Sequence, residues 1–390
     1  MIYILILIVV IILSSAYFYL KPAKKVTKNI FNAEYYRGLN YLLNNEEDKA
    51  FKIFTALMDV DSSTIETHLA LGGLYRKRGE FDKAILIHQN LLARPTLETE
   101  LKNQALYELA KDFYSAGLYD RSERIFNNLS EIKSYKQSSL EYLIKIYEST
   151  KEWERAIDLV KTIDTKYINN EKTNSLLAQY YCEISSVYET QNQIEKAIAI
   201  SKKALKTNTG CIRANLQLAK YYSQNDIGIS AQYYNAVIMQ DKLFAPYITS
   251  KIIQLAKRVD NSSTVIKTLV SIAEHKDVPF IPEIYYFILY EKDDIAAKKY
   301  INTFDMKDTV NNFVISHVLA ASDNGDKTDA NLTNMVNSYE NIFAANFHFI
   351  CNNCGYKSNE LNWKCPSCNR WETILPKSAI DIIRDGNINE

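Results

Sequence analysis

The hydrophobic pattern changes early in the chain, from an unbroken apolar run to a helical periodicity. Residues 1–20 carry no charged side chain. Twenty helical residues at ~1.5 Å each match the ~30 Å hydrocarbon thickness of a bilayer. Four lysines follow the run and none precedes it: Lys21, Lys24, Lys25 and Lys28. The pattern predicts a transmembrane anchor at 1–20 and a basic juxtamembrane linker at 21–30, with the bulk of the chain cytoplasmic.

A cleaved secretory signal is the alternative interpretation of the same run. Ser14, Ser15 and Ala16 offer small residues for cleavage. A signal peptide also needs basic residues before its apolar segment, and here none is present. The sequence therefore favours the anchor, with its amino terminus on the periplasmic side.

From residue 31 to residue 345 the apolar pattern repeats about every 34 residues. The repeating positions follow one another in steps of 32 to 41 residues and most of them are small. They are Ala50, Ala84, Ser122, Ala156, Ala197, Ala231, Val265 and Ala297. A repeat of this length is typical of tetratricopeptide helix–turn–helix units.

Two further features recur in each unit, at fixed distances from the small residue. Twelve residues earlier lie Gly38, Gly72, Ala110, Ile144, Ser185, Ala219, Ile253 and Tyr285. Three residues after these positions come aromatic residues: Tyr41, Tyr75, Phe113, Tyr147, Tyr188 and Tyr222. A short segment typical of a turn followed by the start of a new helix, such as GEFDKA or GLYDRS, leads up to the small residue and ends with it. These features predict pairs of helices, called A and B below, that cross at small residues.

The predicted fold class is all-α: a tetratricopeptide-repeat superhelical solenoid with an N-terminal transmembrane helix and a small C-terminal metal-binding module. The register predicts eight units, with a ninth at 311–343, and each unit needs a neighbour to cover its apolar face. An irregular helical bundle is the alternative. We expect the aligned aromatic residues to lie in the core, and Tyr35, Tyr107, Tyr180 and Tyr221 are candidates for the groove.

Composition narrows the classes of function. The chain balances 46 basic against 46 acidic residues, which argues against nucleic acid as a partner. Ten glycines and seven prolines in 390 residues agree with a mostly helical chain. The chain contains no G-x-S-x-G, H-E-x-x-H or Walker A sequence, and its five histidines are scattered. We therefore predict that the protein is not an enzyme.

Near the C-terminus, the stretch CNNCGYKSNELNWKCPSC contains two Cys-x-x-Cys pairs. Four thiolates at this spacing predict one tetrahedral S4 metal ion, iron or zinc, held by Cys351, Cys354, Cys365 and Cys368. Gly355 and Asn369 follow the two pairs, where a left-handed residue is usual. The module is predicted at 346–378 and a tail at 379–390. Trp363, Trp371, Tyr356 and Phe349 are expected to form its apolar shell.

Disulfides are the alternative for these four cysteines. They would require an oxidising compartment, which the predicted orientation does not provide. Cys182 and Cys211 lie within the helical repeats and are expected to be buried thiols.

The order of anchor, repeat array and two-knuckle module resembles the lipopolysaccharide assembly protein B family of Gram-negative bacteria, over essentially the whole chain. The strings that carry the resemblance include YLLNNEEDKA, HLALGGLYRKRGEFDKAILIHQNLL, AGLYDRSERIFNNL and WKCPSCNRWETI. By carry-over, the four module cysteines match the metal ligands of the family's rubredoxin-like module. Asn369 departs from the family pattern in the second knuckle and leaves the ligands intact.

The resemblance implies a single-pass inner-membrane adaptor that regulates lipopolysaccharide synthesis and has no chemistry of its own. Its implied partners are a membrane-bound AAA+ metalloprotease, the lipid A pathway deacetylase that the protease degrades, and other lipopolysaccharide synthesis or regulatory membrane proteins. Two alternatives remain. One is rubredoxin-type electron transfer through an S4 iron. The other is a periplasmic repeat protein, if the anchor is inverted or cleaved.

Overall fold

The computed structural model describes residues 26–44, 46–60, 65–95, 97–163, 170–256 and 348–377. The predicted anchor, the repeat units beyond residue 256 and the C-terminal tail lie outside these residues. Among the helices within these ranges, none combines the length and the apolar character that crossing a bilayer requires.

Helices dominate the described part of the chain. In order they are α1 (Val26–Leu43), α2 (Glu47–Val60), α3 (Ile65–Lys77), α4 (Phe81–Leu92), α5 (Thr99–Ser115), α6 (Tyr119–Ser130), α7 (Lys136–Thr150), α8 (Trp153–Thr162), α9 (Asn170–Thr190), α10 (Ile194–Thr207), α11 (Ile212–Tyr222), α12 (Ile227–Gln240), a 3₁₀ turn (Lys242–Phe244) and α13 (Ala245–Ala256). Odd-numbered helices up to α13 correspond to predicted A helices, and even-numbered helices to B helices. The mostly helical, tetratricopeptide-type architecture agrees with the prediction.

The chain divides into two compact units between Glu152 and Trp153. The first unit contains the pairs α1/α2, α3/α4 and α5/α6 and then α7. The second contains α8, the pairs α9/α10 and α11/α12, α13 and the cysteine module.

Helices of a pair approach closely at the small residues that define the repeat. Ala50, Ala84, Ser122, Ala197 and Ala231 have no exposed surface. A Cβ atom on Gly38 of α1 would lie 2.9 Å from Cζ of Phe54 on α2. Ser122 donates a hydrogen bond of 2.8 Å to the carbonyl oxygen of Ala110. The small side chains are therefore required by contact between helices, as the pattern predicts.

The aligned aromatic rings do not all lie in the core. Phe113 and Tyr147 are buried, whereas Tyr41, Tyr75, Tyr188 and Tyr222 are half-buried. The basic residue just before the small residue covers the ring in four units, at 5.3 to 5.7 Å from the ring centroid. The pairs are Lys49 on Tyr41, Lys83 on Tyr75, Arg121 on Phe113 and Lys196 on Tyr188. Such cation–π contacts hold the start of a B helix against its A helix.

Four of the turns between helices A and B in the described part of the chain share one backbone conformation. In these turns, a residue one or two positions after helix A has a positive φ: Gly79, Gly117, Lys151 and Asn192. This left-handed residue ends the helix and reverses the chain, so the signature GEFDKA marks a turn as expected.

The cysteine module contains a small antiparallel sheet. Its strands are β1 (His348–Cys351), β2 (Lys357–Ser358) and β3 (Ile374–Lys377), in the order β2-β1-β3. Strand β1 pairs with β3 over four residues, from His348 opposite Lys377 to Cys351 opposite Ile374. The central strand therefore ends at the first cysteine.

Candidate metal centre and its contacts with the repeat helices

Four cysteine sulfurs converge in the C-terminal module. Those of Cys351, Cys354, Cys365 and Cys368 all lie within 4.8 Å of one another. The distance is 3.8 Å between Cys351 and Cys368 and 3.6 Å between Cys354 and Cys365. A tetrahedron with metal–sulfur bonds of about 2.3 Å has edges of about 3.8 Å. The donor set therefore fits the zinc or iron ion that the sequence predicts, and a bound ion would cross-link the two halves of the module.

The two Cys-x-x-Cys turns are built alike. The backbone N–H of Gly355 donates to the carbonyl of Cys351, and that of Asn369 donates to the carbonyl of Cys365, both at 2.8 Å. Gly355 and Asn369 have φ angles of 74° and 56°. Both positions are left-handed as predicted, because only this conformation brings the following N–H groups around the sulfurs.

Local hydrogen bonds and burial shift the pKa values of the module thiols in different directions. Burial would raise the pKa of Cys351, but the Thr373 hydroxyl and the backbone N–H groups of Asn353 and Cys354 outweigh it and lower that pKa to about 6. Burial raises the pKa of Cys365 to about 11. The backbone N–H of Arg370 is the main cause of a lowered pKa for Cys368. Because a metal needs all four as thiolates, metal binding must displace the proton that Cys365 holds most tightly.

A small apolar cluster surrounds the sulfurs. Phe349, Cys351, Cys365 and Ile374 are buried together, with Tyr356 and Leu361 packed against them. Phe349 and Tyr356 thus occupy the predicted shell. The two tryptophans of the module do not, because their rings face the repeat helices.

The tryptophans connect the module with the helices of the second unit. Trp363 lies parallel to Phe244 of the 3₁₀ turn, with ring centroids 6.3 Å apart, and the guanidinium of Arg213 lies 6.0 Å from its centroid. Trp371 meets Trp153 of α8 and Tyr180 of α9 edge-on, at 6.3 and 6.0 Å. All three tryptophans of the chain therefore take part in this contact.

A polar contact lies beside the tryptophans. Glu372 accepts a hydrogen bond of 2.7 Å from Gln179 and a second one from Ser175, both on α9. Gln179 has no exposed surface. Glu372 also has a positive φ of 56°, which is unusual for a residue other than glycine. The sequence contains no motif that singles out Glu372, Gln179 or Arg213, and their roles emerge only when distant parts of the chain are brought together.

Two protein-family models match the two parts of the fold. The rubredoxin metal binding domain family matches residues 349–376, and the tetratricopeptide repeat family matches residues 67–101. A solved structure, the C-terminal part of a TPR repeat-containing protein from Cytophaga hutchinsonii, aligns with 70% of this chain and 100% of its own length. That alignment has 12% identity and a TM-score of 0.43.

Two curated relatives match nearly the whole chain. Lipopolysaccharide assembly protein B of Escherichia coli K12 is 26% identical, covering 92% of both chains. Lipopolysaccharide assembly protein B of Haemophilus influenzae is 31% identical, covering 92% of this chain and 93% of its own. The chain belongs to the lipopolysaccharide assembly protein B family. The resemblance seen in the sequence is thereby confirmed.

The first unit of this member of the lipopolysaccharide assembly protein B family contains a pocket of about 400 Å³. It lies among the successive A helices α1, α3 and α5 and has Leu39, Leu42 and Leu69 among its apolar lining. Tyr35, one of the predicted groove residues, also lines it. Tyr180 and Tyr221 were expected as candidates for such a surface, but they are buried and cannot line a groove.

A network of charged side chains forms one side of this pocket. Arg76 of α3 binds Glu108 and Asp112 of α5, each at 2.6 Å, and Lys111 binds Glu108 at 2.8 Å. The imidazole of His88 pairs with Asp112 behind them, and both side chains are fully buried. The pocket therefore has apolar walls and one charged side, whose ion pairs connect neighbouring repeats.

Proposed function

We propose that this chain is an inner-membrane adaptor that regulates lipopolysaccharide assembly by bringing a membrane-bound AAA+ metalloprotease to the lipid A pathway deacetylase. Membership of the family is the observation that supports this role most strongly, since the curated relatives are named for lipopolysaccharide assembly. The repeat array supplies surfaces for partners, and other lipopolysaccharide synthesis or regulatory proteins are further candidates for them.

The metal module has a structural role in this proposal. Its tryptophans and Glu372 contact α8, α9, α11 and the 3₁₀ turn, so one rigid module touches helices from successive repeats. Because each repeat contacts only its neighbours, a module that bridges several of them limits changes in their relative orientation. The metal thereby helps to define the surface that a partner meets.

The apolar run at residues 1–20 keeps the repeat array at the membrane. An anchor places the array where a membrane protease and its substrate both encounter it, with the array in the cytoplasm. A chain that lacks residues 1–20 should fold as a soluble protein and fail to regulate. Full regulation by that fragment would contradict the need for an anchor.

Electron transfer is the second candidate, and the exposed position of Cys354 favours it because rubredoxin-type centres exchange electrons near the surface. Metal substitution separates the two functions. Protein loaded with redox-inactive zinc should regulate as well as protein loaded with iron if the metal is structural. Loss of regulation only in the zinc form would support electron transfer.

Photo-crosslinking in membranes tests whether these partners bind at the pocket of the first unit. A photoreactive amino acid at Leu69, in the pocket of the first unit, should capture the protease or the deacetylase in living cells. The matched control is Gln89, an exposed residue of α4 outside the pocket lining. Equal capture at both positions, or capture of neither partner at Leu69, would count against the pocket as the contact surface.

A further inference from the structure

Two cysteines outside the metal cluster meet inside the second unit. Cys182 lies on α9 and Cys211 immediately precedes α11, and their sulfurs are 3.9 Å apart. Neither residue has exposed surface. The sequence indicates two ordinary buried thiols, and the fold places them side by side although 29 positions separate them.

Their surroundings give the two sulfurs different chemistry. Cys211 is the N-cap residue of α11, and the side chain of Gln179 donates to its sulfur at 3.6 Å. Hydrogen bonding from Cys182, together with the backbone N–H of Ala214, lowers the pKa of Cys211 despite its burial. Burial raises the pKa of Cys182 well above its usual value. A more acidic thiol at a helix N-terminus beside a less acidic one is the arrangement that favours dithiol chemistry.

We infer that Cys182 and Cys211 are an oxidisable dithiol, a modification site separate from the four metal ligands. The oxidant is a peroxide. The thiolate of Cys211 attacks the O–O bond, takes one oxygen as a sulfenic acid and releases hydroxide. The thiol of Cys182 then attacks this sulfur, the S–O bond breaks, and a disulfide and one water form. One peroxide thus accepts the two electrons that the sulfurs lose.

The fold offers a route for the oxidant. Cys211 directly follows Thr209 and Gly210, which are exposed in the turn between α10 and α11. A local opening of this turn would expose the sulfur of Cys211 before that of Cys182, which lies in the middle of α9. A disulfide bond is about 2.05 Å long, so the sulfurs need to approach by roughly 1.9 Å.

Oxidation would act next to the metal module. Gln179 donates to both Cys211 and Glu372, so one buried amide contacts the dithiol and the module. The disulfide would also cross-link α9 to α11, the helices that supply Gln179 and Arg213 to the module contact. The redox state of Cys182 and Cys211 would therefore affect α9 and α11, the helices that contact the module.

The test uses the full chain purified with its metal and treated with hydrogen peroxide. After denaturation, alkylation and digestion, mass spectrometry should find a cross-linked peptide containing Cys182 and Cys211, lighter by two hydrogens and restored by a reducing agent. The four module cysteines should remain alkylated. Recovery of Cys182 and Cys211 as alkylated thiols while module cysteines are oxidised would overturn the inference.

Single variants test the order of the two steps. In Cys182→Ser, whose hydroxyl can still donate to the sulfur of Cys211, the remaining Cys211 should be trapped as a sulfenic acid by dimedone. In Cys211→Ser, the remaining Cys182 should react at roughly a tenth of that rate or less, because burial raises its pKa well above the usual value. Equal labelling of the two variants would contradict the assignment of Cys211 as the attacking sulfur.

Discussion

Gln179 of α9 donates a hydrogen bond of 2.7 Å to Glu372 of the metal module, across 193 residues of sequence. Gln179 is fully buried, and Ser175 donates to the other oxygen of the same carboxylate. Replacement of Glu372 by alanine leaves a buried amide and a hydroxyl without this acceptor, which costs about 1–3 kcal/mol. We expect Glu372→Ala to lower the melting temperature of the second unit and to shift tryptophan emission to longer wavelength.

Glu372→Gln is the matched control for that change. Its side-chain oxygen can still accept from Gln179, and its amide can donate to Ser175, so most of the contact survives. The glutamine variant should therefore melt closer to the wild type than the alanine variant does. Identical melting and emission for both variants would mean that this contact does not hold the module.

Loss of one metal ligand should release the module from the helices. Cys365 is fully buried among the four sulfurs, and its replacement by serine removes a thiolate from the site. Because metal binding largely drives the folding of so small a module, we expect Cys365→Ser to lower thermal stability and to expose the C-terminus to protease. Emission from Trp363 and Trp371 should shift with it. Unchanged digestion and melting would contradict a structural metal.

The knuckle backbone gives a second test at the metal site. Asn369 has a left-handed conformation, which glycine adopts freely and a β-branched residue adopts at a cost of about 1–2 kcal/mol. Asn369→Gly should retain its metal against a chelator as well as the wild type does, and Asn369→Val should lose it faster. Equal rates of metal loss from the two variants would show that this conformation is not needed.

The close contact between α1 and α2 in the first unit predicts that a substitution on one helix can compensate for a substitution on the other. A Cβ on residue 38 would lie 2.9 Å from the ring of Phe54. Gly38→Ala should therefore destabilise the unit by about 1–3 kcal/mol through overpacking. Combination with Phe54→Leu, which shortens the opposing side chain, should cost less than the sum of the two single changes in a denaturant titration. Simple additivity would contradict the clash.

The ion pairs beside the pocket predict a dependence on pH. Burial alone would raise the pKa of Glu108, but the charges of Arg76 and Lys111 outweigh it and lower that pKa. The stabilisation by ionised Glu108 is therefore complete above pH ~4.3, the pKa of a free glutamate. It is lost as the pH falls through the lower pKa of the folded state. Glu108→Gln should be less stable than the wild type at neutral pH, and the difference should shrink in acid. A constant difference down to pH ~3 would contradict this linkage.

The repeat and the sulfur cluster could be predicted from the sequence because both are encoded by local spacing. Small residues such as Gly72 and Ala84 stand at a constant spacing within a repeat unit. The two Cys-x-x-Cys pairs likewise form a recognisable metal-binding pattern without reference to the rest of the chain. The left-handed residues Gly355 and Asn369 were likewise predicted from their places after each pair, and their φ angles confirm them.

Other features depend on contacts between distant parts of the chain. Trp363 and Trp371 were expected to shield the metal, because sequence gives no information on which side of the module meets a helix. Their rings pack on Phe244, Trp153 and Tyr180 instead. The burial of Tyr180 and the adjacency of Cys182 and Cys211 likewise follow from tertiary packing, which periodicity does not specify.

The level of the lipid A pathway deacetylase in cells shows whether this chain acts as the proposed adaptor. The native chain is depleted, and the wild type, Cys365→Ser or the fragment lacking residues 1–20 is supplied in its place at equal abundance. Depletion should raise the deacetylase level, the wild type should restore it, and neither variant should do so. A steady deacetylase level after depletion would contradict the adaptor role.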